Sequence, residues 1–323
     1  MGRAFASQAD QAERNVTFSR LSEHAYAFTA EGDPNSGVVI GDNAVMVIDA
    51  QATPKAAQAV IERVRSVTDK PIRHVVLSNY HALRTLGASA YGADQVICSE
   101  ATREMIVERG AHDYKSELQR LPRLFKAADT IPGLTMPTLT FKERMTLWLG
   151  GLQVEIVQIG RGHTKGDTIV WLPGERTLFA GALVVSQAAP YAGDAHLADW
   201  PATLRKLADL HPEALLPGRG DPLAGPEAIA QGIADTQAFV EELHRVVAAA
   251  AAADETLKQA YDKARAALEP RYGKRMLFDH GLPFGVARAY DEAKGLDHPR
   301  IWTAERDLET WNLLEPPPPE PPS

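Results

Sequence analysis

Apolar residues recur along the first third of the chain at spacings that predict strands and one helix. The segment GVVIGDNAVMVID, from Gly37 to Asp49, predicts two short strands joined by a turn at Gly41-Asp42-Asn43. From Pro54 to Asp69 the apolar residues follow helical spacing, which predicts a surface helix with proline in its first turn. The residues from His74 to Leu77 predict a brief buried strand. The chain therefore opens in the order β-β-α-β.

The middle of the chain predicts a charged helical region followed by a second group of strands. Residues 100–135 begin with many charges at helical spacing and run into the Pro-rich sequence IPGLTMP at 131–137, which predicts a helical insertion over a surface. The segments MTLWL, LQVEIVQI, TIVWLP and TLFAGALVV then predict strands. A helix around Ala202 to Leu210 and a last strand, ALLPG, complete this part. We predict one α+β domain over residues 1–225.

Helix-forming residues dominate the rest of the chain. Residues 226–315 include six successive alanines, from Ala248 to Ala253, and predict a helical carboxyl-terminal extension. From Glu315 to Ser323 the chain reads EPPPPEPPS, and residues 316–323 form the last segment. Because proline fixes φ and lacks an amide hydrogen, we predict an exposed tail of the polyproline type there.

Composition and charge exclude several classes of protein. Hydrophobic residues make up 45% and charged residues 24% of the 323 positions, as in folded globular proteins. A formal net charge of -8 gives no reason to expect a nucleic-acid partner. No apolar run approaches the roughly 20 residues of a membrane span. The single cysteine, Cys98, fits a reducing compartment, so we expect a cytoplasmic protein; a homo-oligomer is compatible with this sequence.

Two loops that each follow a predicted strand carry the candidate chemistry. Ser78 to Arg84 contains His81, and Gly160 to Asp167 contains His163 between glycines. Loops at strand ends are where a rigid scaffold presents functional groups. Taken alone, each histidine is either a structural hydrogen-bonding residue or a catalytic acid or base, because histidine titrates nearest neutrality. The glycines on both sides of Arg161 indicate a close backbone approach at the second loop.

The order of elements, the Gly-His-Thr-x-Gly-Asp loop, the Phe-Ala-Gly strand and the late Pro-Gly-x-Gly turn together resemble the metallo-β-lactamase superfamily. The resemblance extends from about Phe18 to Asp221. The segments LGASAYGA, LPFGVARAYDEA and PRIWTAERD are similar to a SoxH-like subgroup associated with sulfur oxidation and quinoprotein relays. The superfamily implies a four-layer αββα sandwich with metal ligands on loops along one edge of its two sheets.

The resemblance also implies a metal-ligand set, of which this chain keeps little. Where the family has His-x-His-x-Asp-His in the first loop and three later ligands, two histidines remain and five positions are substituted. In chain order these seven positions are Asn79, His81, Leu83, Arg84, His163, Ala182 and Arg219. The implied first metal site is therefore Asn79, His81 and His163, which at most would hold one zinc or other divalent ion. The second site has no donor, since leucine and alanine cannot coordinate and guanidiniums repel a dication.

Five residues are candidates for contact with a small, anionic ligand, which is the partner that we expect. We expect Arg84 and Arg219 to converge and hold an anionic group in place of the second metal. The alternative is that each arginine pairs with a local carboxylate such as Asp221 or Asp194. Asp194 and His196 are a second candidate pair, or else a satisfied loop pair. His280 in the extension would cover the cavity mouth, or else only pack.

Two functions follow from these observations. One is a hydrolase of this fold with at most one metal, acting on a small anionic ester, thioester or sulfur compound, with His81 and His163 as catalytic residues. The other is a non-catalytic member that keeps the scaffold and binds an anionic ligand or partner. Because fold alone does not establish function, the sequence leaves both open.

Overall fold

Short aliphatic strands in the first 141 residues build a seven-stranded sheet. The computed structural model describes residues 4–315. The strands are β1 (Val16–Arg20), β2 (Ala25–Ala30), β3 (Ser36–Ile40), β4 (Val45–Ile48), β5 (Ile72–Val76), β6 (Gln95–Ser99) and β7 (Leu139–Phe141). Neighbours from β1 to β4 pair antiparallel, and those from β4 to β7 pair parallel. Three helices lie between the later strands: α1 (Pro54–Arg65), α2 (Ala82–Thr85) and α3 (Glu100–Arg120).

The second sheet has six strands in the order β13-β12-β11-β10-β9-β8. Their bounds are β8 (Arg144–Leu149), β9 (Leu152–Gln158), β10 (Thr168–Leu172), β11 (Thr177–Phe179), β12 (Ala214–Leu216) and β13 (Leu223–Ala224). All pairs are antiparallel except β11 with β12, which α4 (Trp200–Ala208) connects. Four further helices follow: α5 (Pro226–Ala252), α6 (Leu257–Tyr272), α7 (Phe278–Ala293) and α8 (Ala304–Leu314).

Three apolar cores separate four layers. Val60 and Val64 of α1 pack on one face of the first sheet, against residues such as Val75. The other face packs on the second sheet, where Met46 and Val170 belong to the same core. The outer face of the second sheet packs against α4 and the later helices. The structure confirms the predicted α+β fold with its αββα sandwich and helical carboxyl-terminal region.

Helix α3 differs from the predicted insertion in extent and place. It ends at Arg120, and residues 121–138 are irregular apart from a 3-10 turn at Ala128–Thr130. Pro122 explains the end, because proline disfavours the helical conformation of the residue before it, and Leu121 has φ -128° and ψ 52°. Since α3 connects the parallel strands β6 and β7, it is their crossover connection and one side of it is buried.

The extension shares its core with the sandwich. Phe239 and Leu243 of α5 pack in the same cluster as Leu178 of β11 and Trp200 of α4. The predicted tail, residues 316–323, lies outside the described residues. Among the described helices, none combines the length and apolar character needed to cross a membrane.

Candidate functional site

The two histidine-bearing loops meet α3 and α7 around a small cavity. Three histidines and three arginines line it, together with Glu117, Tyr191 and six aliphatic residues. The basic residues are His81, His163, His280, Arg84, Arg120 and Arg219. The ring centroids of His81 and His163 are 5.1 Å apart, although 82 positions separate them in the sequence. The structure thus brings together the two histidines that the sequence singled out.

His81 is held by carboxylates of α3. Its Nδ1 donates to Oδ1 of Asp113 at 2.9 Å and lies 3.5 Å from Oε1 of Glu117. The side chain is 3% exposed, and its Nε2 is buried with no hydrogen-bond partner among the described residues. Burial by itself lowers the pKa of His81, but the charge and the hydrogen bond of Asp113 outweigh it, with a smaller contribution from Glu117, and the pKa is raised to about 9. At neutral pH, His81 is an imidazolium that points one unsatisfied N–H away from these carboxylates.

His163 has the opposite electrostatic setting. Its Nδ1 donates to the backbone carbonyl of Tyr191 at 2.9 Å, which leaves the lone pair of a neutral ring on Nε2. Burial lowers the pKa of His163 well below its usual 6.5, and the positive charges of His81 and Arg84 lower it further. The cavity therefore contains one charged and one neutral imidazole side by side.

The sequence analysis missed Asp113, Glu117 and Arg120. They lie on the buried face of α3, where the carboxylates also accept backbone N–H groups of the His81 loop: Ala82 donates to Asp113 and Leu83 to Glu117, each at 2.7 Å. Burial raises the pKa of Glu117 to about 8. Their spacing of four and three residues along one helix face was the available signal. The charges of this segment predicted instead an insertion over a surface, because such residues are rarely buried without partners.

Arg84 is committed to structural contacts. Its Nη1 donates to Oδ2 of Asp49 at 2.8 Å and its Nη2 donates to the carbonyl of Gly218 at 2.8 Å. Asp49 also accepts from the backbone N–H and the hydroxyl of Ser78, both at 2.8 Å. Arg84 therefore pairs with a carboxylate, as the alternative in the sequence analysis had it. The partner is Asp49, directly after β4, and not Asp221 or Asp194.

Arg219 differs from Arg84 in its contacts. It is 8% exposed and donates through Nη1 to the carbonyl of Gly32 at 2.7 Å. Within the described part of the chain it has no ion pair with a carboxylate. Burial lowers the pKa of Arg219 to about 10, and the charge of Arg84, which lines the same cavity, contributes to the shift. Arg219 still carries a full charge at neutral pH.

The residues present do not fit a two-metal centre. Asn79 is fully buried, is not part of the cavity lining, and its Oδ1 accepts from the backbone N–H of His81 at 3.1 Å. Of the three residues of the first site implied by the resemblance, His81 and His163 remain as candidate ligands in the cavity. At the second site Leu83, Arg84 and Arg219 line the cavity without a metal donor.

One group among the described residues has donor atoms close enough to hold a metal ion. It consists of His81, Asp113 and Glu117, all buried, with candidate ligand atoms within 4.8 Å of one another. An ion placed between these atoms would have to break the hydrogen bond from His81 Nδ1 to Asp113. The group fits one divalent ion only at that cost.

The three remaining candidates fall in different places. His280 lines the cavity from the first turn of α7. Asp194 does not line it, and its Oδ1 instead lies 3.3 Å from Nη1 of the buried Arg109. His196 is outside the lining as well, with neither ring nitrogen hydrogen-bonded and Asp297 at 3.7 Å from Nδ1. The loop that carries both residues reaches the cavity only through Tyr191.

Comparison with known families gives one extended match. The family profile described as "Metallo-beta-lactamase superfamily" matches residues 29–219, more than half of the chain. Members of that superfamily typically bind a divalent metal such as zinc.

Individual relatives are distant. A metallo-beta-lactamase type 2 of Bacteroides fragilis is 35% identical over 94 residues, which are 28% of this chain and 38% of the relative. A linear primary-alkylsulfatase of a Pseudomonas species is 19% identical over 232 residues, 62% of this chain and 44% of the relative. The solved stereoselective inverting sec-alkylsulfatase Pisa1 from a Pseudomonas species superposes with a TM-score of 0.68 at 15% identity, covering 86% of this chain and 50% of that one. The chain thus spans half or less of the length of these proteins, and the structural likeness shows the fold.

Proposed function

This chain belongs to the metallo-beta-lactamase superfamily, and from that membership we propose that it is a hydrolase-like protein that acts on a small anionic ester, thioester or sulfate ester. The observation that carries the proposal is the pair His81 and His163. Their rings are 5.1 Å apart in one cavity, and their surroundings drive their pKa values in opposite directions. Two neighbouring groups with pKa values driven apart are the arrangement that acid–base catalysis uses.

The two histidines have complementary roles in this proposal. His163 accepts the proton of an attacking water at Nε2, because its Nδ1 proton is held by the carbonyl of Tyr191. His81 donates a proton from Nε2 to the leaving oxygen or sulfur, because Asp113 keeps it charged through Nδ1. The water oxygen bonds to the acyl carbon or the sulfur, and the bond to the leaving group breaks. His163 gains one proton and His81 loses one, so the number of protons held by the two histidines is unchanged.

Substrate class rests on the charge of the cavity and on the relatives. Arg219 and the imidazolium of His81 favour a negatively charged ligand. The alkylsulfatases among the relatives act on sulfate esters by name, which supports that class for this chain. We keep the SoxH-like subgroup within the proposal, on the resemblance of the α7 and α8 segments.

A test separates this chemistry from metal-dependent hydrolysis. We would measure rates on p-nitrophenyl acetate and p-nitrophenyl sulfate, with and without chelator, and the zinc and iron content per chain. Wild type should keep its rate after chelation, while His163→Gln and His81→Gln should each lose about 100-fold or more. His112→Gln, at an exposed position of α3, is the matched control. A rate that follows metal content, or that survives His163→Gln, would contradict the acid–base assignment.

The second candidate is a non-catalytic member that binds an anionic ligand. It is favoured by a specific observation, namely that five of the seven family ligand positions carry other residues and that Asn79 already hydrogen-bonds His81. Anion binding without hydrolysis of any ester probe would select this function over the first.

A further inference from the structure

Three of the cations that line the cavity have a carboxylate partner. The pairs are Arg84 with Asp49 at 2.8 Å, Arg120 with Asp307 at 3.4 Å, and His81 with Asp113 at 2.9 Å. Arg219 has none within the described residues, and donates to the carbonyl of Gly32. A buried charge is costly unless it is paired, so Arg219 is the lining cation whose charge a ligand anion would best neutralise.

His280 presents an unsatisfied polar atom in the same cavity. It is 4% exposed, and its Nδ1 is buried without a hydrogen-bond partner in the described chain. The residue belongs to the cavity lining, and its ring lies 5.8 Å from that of Phe284. Arg120 and Arg219 are near enough to His280 to contribute to the lowering of its pKa, so the ring is neutral and has one N–H to donate.

We propose that Arg219 and His280 form the subsite for one singly charged anionic group of the ligand, built jointly by the sandwich and its helical extension. The proposal rests on the proposed function for the ligand's identity, and adds which residues hold its charge. A planar guanidinium offers a two-point contact to a sulfate or carboxylate, and the imidazole N–H adds a third donor.

Arg219 also borders a second, smaller cavity. Leu121 and Leu277 line both cavities beside it. The acidic residues of the second cavity, Asp10 and Asp33, are paired with Arg123. On that side too, each lining carboxylate already has a cation within ion-pair distance.

The unpaired guanidinium of Arg219 selects the class of anion. A sulfate monoester or a carboxylate carries one negative charge, which matches that one guanidinium. A phosphate monoester is mostly a dianion at pH 7.5, because its second pKa is about 6, and would leave one buried charge unpaired. We therefore expect discrimination in favour of monoanions at this subsite.

Calorimetric titration of the full chain at pH 7.5 with methyl sulfate tests the subsite without requiring turnover. We expect Arg219→Gln to weaken binding about tenfold or more and His280→Gln to weaken it by a smaller factor, because charged hydrogen bonds are the stronger ones. Arg205→Gln, at an exposed position of α4, should bind as wild type does. Two comparison ligands should each bind at least about tenfold more weakly than methyl sulfate. One is dimethyl sulfone, which is uncharged, and the other is methyl phosphate, which is mostly a dianion.

The outcomes separate this inference from the proposed function. Equal affinity in wild type, Arg219→Gln and His280→Gln, or no methyl sulfate binding in wild type, would overturn the subsite even if ester hydrolysis still depended on His163. Weakened binding in those variants without any ester hydrolysis would support the subsite and remove the hydrolase. If Arg219→Gln does not fold, Arg219→Lys and His280→Gln decide: unchanged affinity in both would overturn the subsite.

Discussion

The Nδ1 atom of His81 lies 2.9 Å from Oδ1 of Asp113, a hydrogen bond that joins the first histidine loop to the buried face of α3. The carboxylate fixes which ring nitrogen carries the proton and leaves Nε2 toward the cavity. It also explains why His81 stays charged in an interior that would otherwise neutralise it. Asp113 is therefore a positioning residue that acts through His81.

The Asp113 contact predicts a pH-dependent stability. The folded pKa of His81, about 9, is above the unfolded value near 6.5, so this stabilisation is complete below pH 6.5 and is lost as pH rises toward 9. The shift corresponds to about 3 kcal/mol at most. Urea unfolding of Asp113→Asn should show a smaller loss of stability between pH 6.5 and 9 than wild type. Asp262→Asn, at an exposed position of α6, serves as control, and an unchanged wild-type slope in Asp113→Asn would refute the assignment.

The two cavity arginines at lost ligand positions should differ in their effect on stability. Arg84→Met leaves the buried carboxylate of Asp49 without its ion-pair partner, and we expect a loss of about 3 to 5 kcal/mol in unfolding free energy. Arg219→Met removes a charge that has no carboxylate partner and one hydrogen bond to Gly32, so we expect a change of about 1 kcal/mol or less. Denaturant unfolding of both variants measures the difference. Equal destabilisation would mean that Arg219 is as structural as Arg84.

Restoring the family histidine at Asn79 should not restore a metal site. Asn79 is fully buried, outside the cavity lining, and its Oδ1 accepts from the backbone N–H of His81. We expect Asn79→His to leave zinc affinity unchanged in calorimetry and to lower stability by about 1 to 3 kcal/mol through overpacking. Ala182 does line the cavity, so zinc affinity of Ala182→Asp is measured in the same way for comparison. Tight stoichiometric zinc binding by Asn79→His would show that this side chain reaches the metal position.

His196 predicts sensitivity to acid away from the cavity. Burial lowers its pKa to about 4, and the nearby charge of Arg161 contributes. Because the unfolded histidine binds a proton below about 6.5 and the folded one does not, stability should fall as pH decreases from 6.5 to 4, by about 2 to 3 kcal/mol from this residue. His196→Gln should reduce that loss, whereas His112→Gln, which is exposed, should not. The comparison is made by urea unfolding at pH 6.5 and 4.5, and equal acid sensitivity in wild type and His196→Gln would exclude His196 as its source.

Local patterns in the sequence determined most of the elements and the position of the site. The turn at Gly41-Asp42-Asn43 lies between β3 and β4, and helical spacing after Pro54 gives α1, because these depend on neighbouring residues. The resemblance of the motifs around His81 and His163 to one family implied that both lie at one edge of the sandwich, where the structure has their rings 5.1 Å apart. That Leu83 and Ala182 cannot be metal ligands also followed from the sequence, since no fold can give these side chains a donor atom.

Tertiary structure alone decided how the charges are paired. Asp113 and Asp49 reach His81 and Arg84 across 32 and 35 positions, and no local pattern predicts which buried cation takes which carboxylate. The same packing brings His280 into the cavity from a helix near the carboxyl end and leaves Asp194 with Arg109 outside it. The physical reason is that a charged side chain can be buried only where a partner compensates its desolvation, and that partner is fixed by the arrangement of distant elements.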